Sequence, residues 1–180
     1  IARGISDDVW IVAPEDEQSG AAHSLTINEP LRLRAVGERR YAVRGTPTDC
    51  VMLAVHHILR GQKRPDLQMS GINMGANLGE DVTYSGTVAA AMEGCLLGIK
   101  SIAFSQLMRL SAPSHWGTPR KFAPGVIQRL LTVDWPPGVL MNVNFPDLTP
   151  EAVTGVQAAY QGVRDPADLI IEERIDVRGV

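Results

Sequence analysis

The chain has 180 residues, of which 44% are hydrophobic and 21% are charged, and its formal net charge is −3. This length is typical of one domain with a sizeable core, and the ordinary apolar content excludes an intrinsically disordered chain. No apolar run approaches the ~18 residues of a membrane span, and the slight acidity argues against a surface that binds nucleic-acid polymers.

Taken in chain order, the apolar patterns predict strands that alternate with helices. Residues 9–13 form a continuous apolar run typical of a strand buried on both faces, and residues 1–6 resemble the end of a helix. The next elements are a loop over 15–26, a hairpin over 31–36 and 41–44, helices over 49–60, 85–96 and 124–131, and strands over 66–69, 101–105 and 139–145. This alternation predicts a single α/β domain over residues 1–180 with a mainly parallel sheet and a β-hairpin.

The two cysteines, Cys50 and Cys95, are too few for a disulfide framework. Free thiols are typical of a reducing compartment, so we expect a cytoplasmic protein. The two residues lie far apart on predicted helices, which argues against a zinc site.

Three polar, glycine-rich segments, residues 18–24, 70–77 and 84–87, follow predicted strands or begin a helix. Ligands of open α/β sheets bind beyond the carboxyl ends of the strands, where such segments meet. Ser85, Gly86 and Thr87 begin a helix, so their free N–H groups could hold a phosphate, although taken alone these residues are better explained by simple helix capping. Asn73 and Asn77 could likewise be ordinary turn residues.

Several familiar catalytic signatures are absent from the sequence. There is no P-loop, no glycine fingerprint of a dinucleotide-binding fold and no nucleophile elbow. The Ser and Asn oxygens that remain are ligands suited to Mg²⁺ or Mn²⁺ rather than zinc. Among the histidines, only His23 lies between candidate phosphate-facing loops. Asp7 and Asp8 precede the first predicted strand, which places them at the opposite edge of the sheet.

Several motifs, spread in order from about residue 9 to about residue 145, together resemble the stationary-phase survival protein SurE family, a family of metal-dependent 5′-nucleotidases. A weaker likeness extends to residues 176–179. The motifs are Val12-Ala13-Pro14, Gln18-Ser19-Gly20, Ser24-Leu25-Thr26, Gly45-Thr46-Pro47-Thr48-Asp49-Cys50, Ser70-Gly71-Ile72-Asn73, Asn77-Leu78-Gly79, Tyr84-Ser85-Gly86-Thr87-Val88 and Asn142-Val143-Asn144-Phe145-Pro146.

The resemblance implies a Rossmann-like three-layer fold that hydrolyses nucleoside 5′-monophosphates, with 3′-nucleotides and short polyphosphate as further substrates. It implies one divalent ion, Mg²⁺ or Mn²⁺, with Ser19 and Asn73 among its ligands. The phosphate would be held by Asn77, Ser85, Gly86 and Thr87. The resemblance also implies a homodimer or homotetramer.

The sequence departs from the family pattern at both ends. The family's adjacent pair of aspartate ligands is expected upstream of Ile1, and its C-terminal segment beyond Val180, so we expect the domain to be incomplete. No catalytic residue is therefore assigned, and the chain by itself is expected to bind metal poorly. The alternatives are a nucleotide-binding module without catalysis and an oligomer-forming fragment.

Overall fold

The computed structural model describes residues 1–108, 113–163 and 165, so the likeness over residues 176–179 lies outside the described residues. This part of the chain contains six strands and four α-helices. The strands are β1 (Ile11–Pro14), β2 (Arg32–Gly37), β3 (Arg40–Arg44), β4 (Gln68–Met74), β5 (Ser101–Gln106) and β6 (Met141–Phe145). The helices are α1 (Pro47–Leu53), α2 (Asp81–Tyr84), α3 (Gly86–Leu96) and α4 (Gly117–Leu131). Short 3₁₀ helices cover Ala2–Gly4 and Pro150–Ala152.

The first sheet has the strand order β1-β3-β2. The predicted hairpin is confirmed as the antiparallel pair β2 and β3, and β3 also pairs in parallel with β1. The expectation that the first strand is buried on both faces is wrong, because Ile11 is 41% exposed and Ala13 is also exposed. Among the described residues β1 pairs with β3 alone, so it lies at an edge of its sheet.

The second sheet is entirely parallel, in the order β4-β5-β6, and provides the core. Its central strand β5 is buried at all six positions, because it has a partner strand on each side and a helix on each face. The α4 side of the core consists of Ile102, Phe104, Ala123, Ile127 and Phe145. The α3 side consists of Val88, Ala91 and Ala103. The predicted α/β architecture is therefore confirmed.

Helix boundaries follow local signals where a cap is present. Thr46 caps α1, and its hydroxyl accepts from the Asp49 N–H while the Asp49 side chain accepts from the Thr46 N–H. The helix predicted over residues 49–60 continues beyond α1 as a π-helical segment, Ala54–Ile58. Ser85 caps α3 as predicted.

Two predicted boundaries are wrong by five or more residues. The helix predicted over 124–131 begins at Gly117, seven residues earlier, and contains Pro124 in its interior. A proline without an N–H costs one helical hydrogen bond, and the burial of Thr118, Pro119 and Ala123 outweighs that cost. The strand predicted over 66–69 runs on to Met74, because pairing with β5 continues into the glycine-rich segment. In the described part of the chain, no helix is long and apolar enough to cross a membrane.

Candidate active site

The amino end of α3 is the centre of the candidate site. The Ser85 hydroxyl accepts from the Val88 N–H at 3.1 Å, so Ser85 is the helix cap that its residue type predicts. Within the described residues, the Gly86 and Thr87 N–H groups form no hydrogen bond. They are therefore free to bind an anion at the positive end of the helix dipole.

Gly86 allows this helix end to approach α1 closely. A Cβ atom at residue 86 would lie 2.9 Å from Cγ of Pro47 and 3.4 Å from the carbonyl oxygen of Gln18. A side chain at this position would push the helix away from Pro47. The structure therefore explains Gly86 by close packing as well as by the phosphate site that the resemblance implies.

The loop that carries Ser19 lies against the same helix end. The Ala22 N–H donates to the Tyr84 carbonyl at 3.1 Å, immediately before α3 begins. Ser19 itself is exposed, and its hydroxyl donates to Glu17 Oε1 at 2.9 Å. Its oxygen is thus accessible to a ligand and already lies beside a carboxylate.

The sequence predicts that Asn73 lies in a loop after the strand. In the structure Asn73 lies within β4. It pairs with Ser105 of β5, and its Nδ2 donates to the Gly75 carbonyl at 2.8 Å. Earlier in the same strand, the Ser70 hydroxyl donates to the Thr87 carbonyl at 2.6 Å. Both β4 and the Ser19 loop therefore contact the beginning of α3.

Asn77 is buried, with an exposure of 4%. Its Nδ2 donates to the Ser105 hydroxyl at 2.5 Å. Because Ser105 is also the register partner of Asn73, the two predicted asparagines meet at the same position of β5.

Two connections in this region were not predicted. His23 Nε2 lies 2.9 Å from Oε2 of Glu93, whose side chain is only 12% exposed, so the Ser19 loop is attached to the middle of α3. These residues are 70 positions apart, and no short-range pattern could have paired them.

Asp49 makes the second unpredicted connection. Its carboxylate accepts from the Thr26 N–H at 3.1 Å, from the Thr26 hydroxyl at 2.7 Å and from the Thr46 N–H at 2.8 Å. Burial alone would raise the pKa of Asp49, but the hydrogen bonds from Thr26 and Thr46 outweigh burial and lower it. The charged side chain thus holds the end of the loop against α1.

Ser19 and Asn73 are suitable ligands for a hard cation, but two neutral oxygens are too few to hold one. Ser19 and Asn73 supply neutral oxygens of the kind that Mg²⁺ and Mn²⁺ bind. Across residues 1–108 and 113–163, no group of three or more His, Cys, Asp or Glu side chains could hold a metal ion. Asp8 is engaged elsewhere, since its Oδ1 accepts from Trp10 Nε1 at 3.1 Å and from Arg39 Nη1 at 2.8 Å.

The family model described as Survival protein SurE matches residues 1–168. The chain belongs to the SurE family. It is 61% identical to the 5′-nucleotidase SurE of Paramagnetospirillum magneticum over 99% of this chain and 68% of that protein. It is 55% identical to the 5′-nucleotidase SurE of Parvibaculum lavamentivorans over 99% of this chain and 65% of that protein. The chain thus spans about two thirds of the length of these curated relatives.

A solved structure agrees with this membership. The crystal structure of the SurE protein from Aquifex aeolicus superimposes with a TM-score of 0.78 at 44% identity, over 86% of this chain and 62% of that one. The SurE fold is therefore confirmed for this chain, including the parallel sheet between two helical layers.

Proposed function

We propose that this chain is part of a divalent-metal-dependent phosphomonoesterase that hydrolyses nucleoside 5′-monophosphates to nucleoside and phosphate. The observation that carries the proposal is the 61% identity to a relative named 5′-nucleotidase SurE, over almost the whole chain. The convergence of the Ser19 loop and β4 on the free amino end of α3 supports it.

The residues of this chain would bind the phosphate mainly through backbone groups. The Gly86 and Thr87 N–H groups are free within the described residues, and the helix dipole favours an anion there. Asn77 would contribute the second hydrogen of its Nδ2 group, because the first donates to the Ser105 hydroxyl. Binding of this kind needs no lysine or arginine, in agreement with the net charge of −3.

We propose that Ser19 and Asn73 are two ligands of the divalent ion, Mg²⁺ or Mn²⁺. Two neutral oxygens hold such an ion weakly, so the proposal requires carboxylate ligands in addition to them. An ion bound there would polarise the phosphate and activate water. Ser19 and Asn73 would themselves determine where the ion is held, since Ser19 belongs to the loop and Asn73 to β4 of the sheet.

The test is phosphate release from nucleoside 5′- and 3′-monophosphates and short polyphosphate, using the complete natural protein that carries this chain. We expect release with Mn²⁺ or Mg²⁺, none with a chelator, and a loss of at least about 10- to 100-fold in Ser19→Ala and Asn73→Ala, because that range is the usual cost of removing a residue that only supports a metal ligand. Ser19 is exposed, so its substitution leaves the core intact. Asn28→Ala, in an exposed loop, is the matched control.

Each other outcome contradicts a defined part of the proposal. Normal activity in Asn73→Ala would remove the metal assignment. Nucleotide binding that is indifferent to metal, without release of phosphate, would favour the binding module over the enzyme. The homodimer or homotetramer also stays a prediction, and light scattering of the same protein tests it.

A further inference from the structure

Two asparagine side chains on β6 bind the peptide group of Asn77. Asn142 Nδ2 donates to the Asn77 carbonyl at 2.8 Å, and Asn144 Nδ2 donates to the same oxygen at 3.1 Å. The Asn77 N–H in turn donates to Asn144 Oδ1 at 2.9 Å. Both backbone polar groups of Asn77 are therefore satisfied by side chains from a strand more than 60 residues away.

The sheet register explains why these two side chains reach the same peptide. In the pairing of β5 with β6, Asn142 lies beside Ala103 and Asn144 lies beside Ser105. Alternate residues of a strand point to one face, so both asparagines share the face of Ser105, which accepts from Asn77 Nδ2. The main chain and the side chain of Asn77 are thus held from two neighbouring strands.

The two asparagines are not equivalent. Asn144 uses both ends of its amide on Asn77, which determines the orientation of the amide. Asn142 gives one hydrogen bond to Asn77, and its Oδ1 accepts from Asn144 Nδ2 at 3.3 Å. Loss of Asn144 would leave the Asn77 N–H without a partner at a position that is 4% exposed, whereas loss of Asn142 leaves both the N–H and the carbonyl of Asn77 bonded to Asn144.

We propose that Asn142 and Asn144 are positioning residues that hold Asn77 in the conformation in which it binds the substrate phosphate. They act through Asn77 and need not touch the substrate. The proposal rests on the proposed phosphatase function, and it adds a role to the Asn142-Val143-Asn144 segment that the proposed site does not include.

The test compares Asn144→Ala, Asn142→Ala and the control Asn28→Ala in the complete natural protein, well below its unfolding temperature. The measurements are KM and kcat for a nucleoside 5′-monophosphate, the affinity for inorganic phosphate by calorimetry, and unfolding in urea. We expect Asn144→Ala to raise KM and weaken phosphate binding about 10-fold, the effect of losing one hydrogen bond to the ligand. Asn142→Ala should have a smaller effect of the same kind, and Asn28→Ala none.

Asn144→Asp separates positioning from mere stability. It keeps the acceptor for the Asn77 N–H but places a carboxylate oxygen against the Asn77 carbonyl and Asn142 Oδ1, and it adds a negative charge near the phosphate, so we expect a KM at least as high as that of Asn144→Ala. A KM and a phosphate affinity unchanged in Asn144→Ala, whether or not it unfolds more easily, would overturn the proposal, as would a wild type that binds no phosphate. If the wild type binds phosphate and hydrolyses no nucleotide, the proposed function fails, while weaker phosphate binding in Asn144→Ala still supports the positioning role.

Discussion

Replacing Asp49 tests whether a buried charge holds the Ser19 loop to α1. The side chain is 1% exposed and accepts three hydrogen bonds, two from Thr26 and one from Thr46. Asp49→Ala leaves these three donors without their acceptor, at a cost of about 1 kcal/mol each. We expect the free energy of unfolding to fall by about 3 kcal/mol and Tm to fall by about 6–12 °C for a chain of this size.

The pH dependence gives a sharper form of the same test. The pKa of Asp49 is lowered in the folded protein, because hydrogen bonding outweighs burial. A carboxyl group of this kind stabilises the fold at pH values above its unfolded pKa, and the contribution is lost as the pH falls through the folded pKa. Asn has the same shape but does not titrate, so the difference in stability between the wild type and Asp49→Asn should shrink as the pH is lowered.

Urea unfolding at a series of pH values measures this difference. The control is Asp66→Asn, which removes the same charge from an exposed pair in which Asp66 Oδ2 lies 2.9 Å from Lys63 Nζ. Exposed ion pairs contribute little, so this variant should stay close to the wild type. A loss in Asp49→Asn equal to that in Asp66→Asn, or one that does not vary with pH, would refute the reasoning.

Gly71→Ala should destabilise the protein by about 3 kcal/mol in urea unfolding, because residue 71 has φ +104° and its Cβ would lie 2.2 Å from the Phe104 carbonyl oxygen. Gly61→Ala, with φ +77° and open space around it, should show the conformational strain alone, and equal losses would contradict the contact argument. Burial, and then the nearby charge of Asp49, raise the pKa of the Cys50 thiol to about 12. Cys50 should therefore resist alkylation at about pH 8 until the protein unfolds, as mass spectrometry of labelled peptides would show.

Local sequence signals were sufficient to predict an element wherever its own residues define it. The hairpin follows from alternation over residues 31–44, and α3 follows from Ser85 and the small apolar residues behind it. The motifs of the candidate site are also continuous in the sequence, which is why family membership could be inferred from them. These features depend on contacts between residues a few positions apart, so the pattern of the chain reports them directly.

Features that depend on distant partners were decided by the tertiary structure. The extension of β4 through Asn73 requires β5 beside it, and α4 tolerates Pro124 because its first turns are buried. The attachment of Asn77 to Asn144, across 67 positions, is equally invisible in the pattern of the chain. A buried polar group must find a hydrogen-bond partner, but its residue type does not say which strand supplies it. The sequence by itself determined the elements, the family and the groups available for chemistry, whereas only packing decided which of those groups meet.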